Sequence, residues 1–332
     1  MRSTRIIHTV DAHVEGLPVR VVTGGAPTVP GATMDERRHW FLDNADELRT
    51  LLMCEPRGSG WMSGAILQPP IRPDADWGVL FIEVTGVLPM CGAGTIGVAT
   101  VLVDTGMVAV TEPVTTVRLD APIGLITVDV QVAGGKATSA TIRNVPSYAH
   151  ALDQRVDVPG YGTLACDLAF GGNFYAIVDL EQLEIPFEVA AADRLISAGK
   201  AVMAAVDAQH PLTHPESGFT GCEHVVMIAP GSDARHTRHV LINHPGWLDR
   251  SPGGTGTSAL MAVLHARGRL DLETDFVNET LLGTSFTGRL VDTDRVGQHE
   301  AVVPTIAGSA WIIATTQQML DPTDPFPAGF TL

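Results

Sequence analysis

The stretch CGAGTIGVATVLVDTG (residues 91–106) has a second version in the same chain, GGTGTSALMAVLHARG (253–268). The offset is 162 residues, close to half of the 332-residue chain. Gly92 aligns with Gly254, Gly94 with Gly256, Thr95 with Thr257, Val101 with Val263, Leu102 with Leu264 and Gly106 with Gly268. Each segment reads as a glycine-rich turn, one apolar helix and a glycine suited to a C-terminal cap. Two such units half a chain apart predict a pseudo-symmetric pair of domains. Chance matching of small residues would leave the shared helix-start and helix-stop chemistry unexplained.

Around these helices the pattern is mostly short strands. RIIHTVDAH, PVRVVTGG, WGVLFIEV, TTVRLDAP, GLITVDVQV, SATIRNVP and FYAIVDL are rich in β-branched residues and bounded by Gly, Pro or Asp. TMDERRHWFLDNADELRTLLM (33–53) and PFEVAAADRLISAGKAVMAAVDAQ (186–209) carry helical spacing. Short strands with few helices predict an α/β fold of the α+β kind, not a regular βαβ array.

Hydrophobic residues make up 45% and charged residues 17%, the balance of a core-forming globular chain. A net charge of -16 argues against a nucleic-acid partner, which demands clustered Lys and Arg. No apolar run reaches membrane-span length and the N-terminal stretch lacks a signal-peptide core, so no membrane partner is expected. Cys54, Cys91, Cys166 and Cys222 are scattered with no CxxC pair, which argues against disulfides and a metal site. These features predict a reduced, cytoplasmic enzyme.

A glycine-rich turn entering a helix presents unpaired backbone N–H groups, and the helix dipole adds to their pull on an anion. A cysteine at such a place is expected to be partly thiolate. Neither turn has the Lys-Ser/Thr of a phosphate loop or the GxGxxG of a dinucleotide site, so the expected anion is a small carboxylate. A thiolate beside the α-carbon of a bound amino acid suits proton abstraction, with the amides stabilising the enediolate-like charge. That chemistry needs no metal and no cofactor.

MCGAGTIG (90–97) and DRSPGGTGTSA (249–259) resemble the two catalytic motifs of the proline racemase family. That family includes hydroxyproline 2-epimerases and trans-3-hydroxyproline dehydratases. VDAHVEGLPVRVVTGG, PGATMDERR, MCEPRG, FGGNFYAIVD and FVNETLLGTSFTG extend the resemblance in order along nearly the whole chain. It implies a diaminopimelate-epimerase-like fold, two similar domains each wrapping a curved sheet around a central helix, with the active site between them. The first domain is expected at 1–125 plus 300–332 with the Cys91 motif, the second at 126–299 with the DRSPGGTGTS motif. The resemblance implies a small amino-acid substrate, proline or a hydroxyproline, and leaves room for a homodimer. It assigns Cys91 as the base, and Gly92, Ala93, Gly94, Asp249, Gly253, Gly254, Thr255 and Gly256 as the substrate-binding set, with Asp249 on the substrate amine.

The departures from the family pattern matter as much. Family racemases carry a second cysteine where this chain has Gly253, and a histidine where it has Ala93. The EPRGH pattern ends in Ser59. One cysteine suits a one-base lyase such as a trans-3-hydroxy-L-proline dehydratase, with Thr255 or Thr257 near the vacated place. A 4-hydroxyproline 2-epimerase or proline racemase would need a substitute acid, for which Cys54, Cys222 and His224 are candidates. A non-catalytic amino-acid-binding relative would keep the turns and lose turnover. The backbone at Gly253 is expected to suit a helix-start thiol, because relatives place cysteine there.

Overall fold

A computed structural model of the chain describes residues 3–331. In chain order it contains β1 (Arg5–Val14), β2 (Leu17–Gly24), α1 (Met34–Met53), β3 (Ser63–Gln68), β4 (Trp77–Glu83), β5 (Gly86–Leu88), α2 (Gly92–Asp104), β6 (Val114–Ala121), β7 (Gly124–Ala133) and β8 (Lys136–Arg143). Then follow β9 (Tyr148–Val158), β10 (Gly162–Phe170), β11 (Phe174–Asp179), α3 (Ala192–Gln209), β12 (His224–Pro230), β13 (His236–Asn243), β14 (Trp247–Leu248), α4 (Gly254–Ala266), β15 (Asp275–Glu279), β16 (Ser285–Val296), β17 (His299–Gly308) and β18 (Ala310–Leu320). The fold is the expected α/β one, dominated by strands.

The chain divides into two compact units, residues 1–142 with 308–332, and residues 143–307. The chain from Gly308 onward belongs to the first unit. The other boundary falls later than the 125/126 expected from the sequence, because β6, β7 and β8 form one antiparallel meander that hangs from β4. Likewise β17 is paired along its length with β16, which keeps residues 300–307 in the second unit.

Within the first unit β18, β1 and β2 are antiparallel neighbours and β2 runs parallel to β3. β3, β4 and β5 follow antiparallel, and β4 runs parallel to β6. The second unit repeats this plan. β9, β10 and β11 are antiparallel neighbours and β11 runs parallel to β12. β12, β13 and β14 follow antiparallel, and β13 runs parallel to β15. The central helices keep equivalent company: α2 packs on β18, β1, β2 and β7, and α4 on β9, β10, β11 and β16.

These two helices have no polar stripe, which is the pattern of a helix buried all round. Every residue of α2 from Gly92 to Val103 is buried, and only Thr255, His265 and Ala266 of α4 escape full burial. Their ends repeat to the bond. Thr95 N–H donates to Cys91 O at 2.9 Å, and Thr257 N–H to Gly253 O at 2.9 Å. At the other end Met107 N–H reaches Leu102 O and Arg269 N–H reaches Leu264 O, while Gly106 and Gly268 take φ 69° and 65°. That is a Schellman cap, and glycine fits its left-handed position without strain.

The outer helices are amphipathic. α1 starts on Thr33, whose Oγ1 accepts the Glu36 N–H, and buries Phe41, Leu48, Leu51 and Leu52. α3 starts at Ala192, six residues later than the spacing suggested. No side chain caps it, and the segment before it forms a short 3-10 turn at Val189–Ala191. No helix among the described residues is long and apolar enough to cross a membrane.

Candidate active site

In the first unit the β4–β5 hairpin delivers the chain to Cys91, the N-cap of α2 (φ -139°, ψ 116°). Its Sγ accepts the Gly94 N–H at 3.3 Å, the place a serine or aspartate oxygen takes in an ordinary cap. The N–H groups of Gly92 and Ala93 belong to the first turn, where the helix itself supplies no acceptor. Gly94 lets the helix sit close to the sheet, since a Cβ there would lie 3.0 Å from Phe81 Cδ1 and 3.2 Å from the cysteine Sγ. The β3–β4 register sets Ser63 across from Glu83. Ser63 Oγ donates to Glu83 Oε1 at 2.9 Å, and Cys91 Sγ lies 4.0 Å from each of these oxygens.

In the second unit the equivalent turn is built differently. Gly253 caps α4 with φ 65° and ψ 103° and offers no side chain. Asp249, four residues earlier, is 9% exposed. Its Oδ1 accepts the Ser251 N–H at 2.8 Å and the Ser251 hydroxyl at 3.0 Å, and its Oδ2 accepts from Asn243 Nδ2 at 3.3 Å. Burial pushes its carboxyl up to about 6, against the pull of those hydrogen bonds and of Arg250. Asn243 Oδ1 accepts from His224 Nδ1 at 2.8 Å, and burial holds the His224 imidazole down to about 4, so it is neutral. His224 stacks on Tyr175 with ring centroids 5.1 Å apart, and the Tyr175 hydroxyl meets the Thr255 hydroxyl at 2.6 Å.

The fold therefore gathers Cys91, Gly92, Ala93 and Gly94 at one helix start, and Asp249, Gly253, Gly254, Thr255 and Gly256 at the other. Thr257 is fully committed to structure: its hydroxyl donates to Pro252 O and accepts from Asn278. The expectation that the Gly253 backbone suits a cysteine is not met. A Cβ built there lies 2.4 Å from Leu241 Cδ2, and φ is in the left-handed region that side chains avoid. Of the substitute acids, Cys54 caps α1 and Cys222 is buried, and burial pushes both thiols up, Cys222 to about 12. His224 does belong to the second turn's network.

Sequence reading missed Ser63, Glu83, Asn243 and Tyr175. The signal was present in the repeat: Glu83 and Asn243 close equivalent hairpins, and Ser63 and His224 are their equivalent cross-strand partners. Among the described residues no group of three His, Cys, Asp or Glu side chains is placed to hold a metal ion.

The sequence pattern of the family described as proline racemase matches residues 9–331. The chain belongs to the proline racemase family. It is 60% identical over the full length of both chains to a 4-hydroxyproline 2-epimerase of Streptosporangium roseum. It is 38% identical, again over the full length of both, to a proline racemase of Acetoanaerobium sticklandii. Among solved structures, a hydroxyproline epimerase from Agrobacterium vitis with bound trans-4-OH-L-proline superposes with a TM-score of 0.92 at 35% identity. That match covers all of this chain and 97% of the other. A phenazine biosynthesis protein of the PhzF family from Bacillus anthracis shares the fold alone, with a TM-score of 0.58 at 14% identity over 96% of this chain and all of that one.

Proposed function

We propose that this member of a family of epimerases and racemases inverts the α-carbon of 4-hydroxyproline or proline, with Cys91 as the base. The observation that carries the reading is the thiol at the start of a buried helix, its sulfur already in the cap position beside the first-turn amides. The full-length 60% identity to a 4-hydroxyproline 2-epimerase favours the isomerase reading and the hydroxylated substrate. The amides of Gly92 and Ala93, which the cap leaves without an acceptor, and those at Gly254 to Gly256 bind the substrate carboxylate and the charge that grows on it.

Inversion needs a second proton carrier, and Gly253 cannot be one. We assign that role to Asp249. Its Oδ2 lies 3.9 Å from the place where a Gly253 Cβ would stand, and its raised titration keeps a usable protonated fraction near neutrality. In the reaction the Cα–H bond breaks as an Sγ–H bond forms on Cys91, and the acid O–H of Asp249 supplies the proton for the new Cα–H bond. The four free thiols fit a reducing, cytoplasmic compartment.

The missing side chain at Gly253 also favours a second reading, a one-base lyase. There Cys91 would take the α-proton of a 3-hydroxyproline and the 3-hydroxyl would leave as water. Incubation of a panel of prolines in deuterium oxide, followed by NMR and chiral chromatography, separates the readings. Exchange with inversion is the expected result with 4-hydroxyproline. Elimination from a 3-hydroxyproline would replace the isomerase by the lyase, and no exchange at all would leave a binding protein.

A further inference from the structure

Glu83 stands beside the thiol and has no part in the reaction as written. It ends β4, where the sheet register sets it across from Ser63. Ser63 is 1% exposed, and its Oγ donates to Oε1 at 2.9 Å, so the carboxylate is held at one oxygen by a buried donor. Arg49 of α1, paired with Asp46, donates to the main-chain carbonyls of Glu83 and Val84 and anchors the hairpin from the other side. Oε1 then lies 4.0 Å from Cys91 Sγ, at the outer limit of an S–H···O contact.

We propose that Glu83 is a positioning residue for the Cys91 thiol, the two groups holding one proton between them. The proposal rests on the reading of Cys91 as the base. In the transfer the Sγ–H bond breaks, an Oε1–H bond forms, and the negative charge passes from carboxylate to sulfur. After the thiolate has taken the substrate α-proton, Glu83 releases its own proton to water and can accept the one now on sulfur. Two negative charges 4.0 Å apart repel, so the pair resists losing its second proton. Groups facing the pair include the Ser63 hydroxyl on β3 and, on α1, Arg49, whose side chain is turned to Asp46 and to main-chain carbonyls.

The proposal is tested by the pH dependence of Cys91 alkylation with iodoacetamide, followed on its own peptide by mass spectrometry. The other three thiols are buried, with Cys166 pushed up to about 11 and Cys222 to about 12, so Cys91 reacts first. In Glu83→Gln the midpoint is expected about one pH unit lower than in the wild type, or about tenfold faster alkylation on the rising limb. Glu83→Asp, with its carboxylate a methylene further from sulfur, should move the same way by less. Coincident profiles for the wild type and both variants would overturn the pairing. Exchange of the α-proton of 4-hydroxyproline in deuterium oxide is read separately and should fall about tenfold in Glu83→Gln despite the more available thiolate, because the proton taken up by sulfur then has no carboxylate to pass to. A shifted alkylation profile in a protein that exchanges no proline would keep the pair and remove the epimerase reading.

Discussion

The two helix starts are built on one plan and differ in where the ionisable group sits. At α2 the cap residue carries it, as the Cys91 thiol, and the strand partners behind it are Ser63 and Glu83. At α4 the cap is bare glycine, the group has moved to Asp249, and the strand partners are His224 and Asn243. Bonds that shape the helices are the same to within 0.1 Å at Thr95 and Thr257, and at Thr105 and Arg267. What the repeat preserves is the scaffold: caps, close-packing glycines and sheet register. What it lets diverge is the chemistry held at the cap. A thiol beside a carboxylate is suited to taking a proton, and a buried carboxyl near neutrality is suited to giving one.

The difference can be broken most severely at Cys91. Cys91→Ser puts a hydroxyl at the cap, which still accepts the Gly94 N–H but is a poor base at neutral pH. α-Proton exchange is expected to fall about a thousandfold or more, while carboxylate binding measured by calorimetry persists. Exchange near the wild-type rate would remove the thiol from the account.

The Asp249 side of the comparison has a signature in stability. Its carboxyl titrates higher in the folded protein than the ordinary 3.8, so the folded state holds the proton more tightly. The associated stability is fully present below pH 4 and is lost as pH rises through about 6, amounting to about 3 kcal/mol. His224 and His239, both held down to about 4, act in the opposite sense and lose stability as pH falls from 6.5 toward 4. Only the Asp249 share should vanish in Asp249→Asn. The difference in urea stability between wild type and variant should therefore shift against the wild type between pH 4 and pH 7. A constant difference would mean that Asp249 titrates normally.

A smaller effect sharpens the contrast at the caps. Gly253→Cys would place a side chain at φ 65° against Leu241 Cδ2 and should cost about 1–3 kcal/mol of stability. Adding Leu241→Ala should relieve the clash, though not the backbone strain. A fully stable single variant would show that the glycine cap is incidental.

Much of this was legible in the sequence. The repeat of 91–106 at 253–268 marked the two segments that hold the buried helices, because glycine turns and apolar runs are local signals. Cys91 was legible for the same reason. The strand residues behind the caps were not, since Ser63 meets Glu83 only through the register of β3 on β4, and no local pattern encodes it. Nor was the strain at Gly253 visible: the atom that fills the space belongs to Leu241, twelve residues earlier on β13. Asp249 is a turn residue, bonded to Ser251. Its raised titration comes from burial, which the local sequence DRSP does not specify.

The central claim is that the thiol removes the α-proton and Asp249 supplies its replacement. The partition between exchange and inversion of 4-hydroxyproline in deuterium oxide, measured in Asp249→Asn, tests it most directly. The account predicts that the variant still washes deuterium into the α-position of the starting isomer, through Cys91, while formation of the opposite isomer falls at least a hundredfold. If inversion continued at the wild-type ratio to exchange, another group would be the acid. Equal loss of both would reduce Asp249 to a substrate-binding residue, and either result would contradict the account.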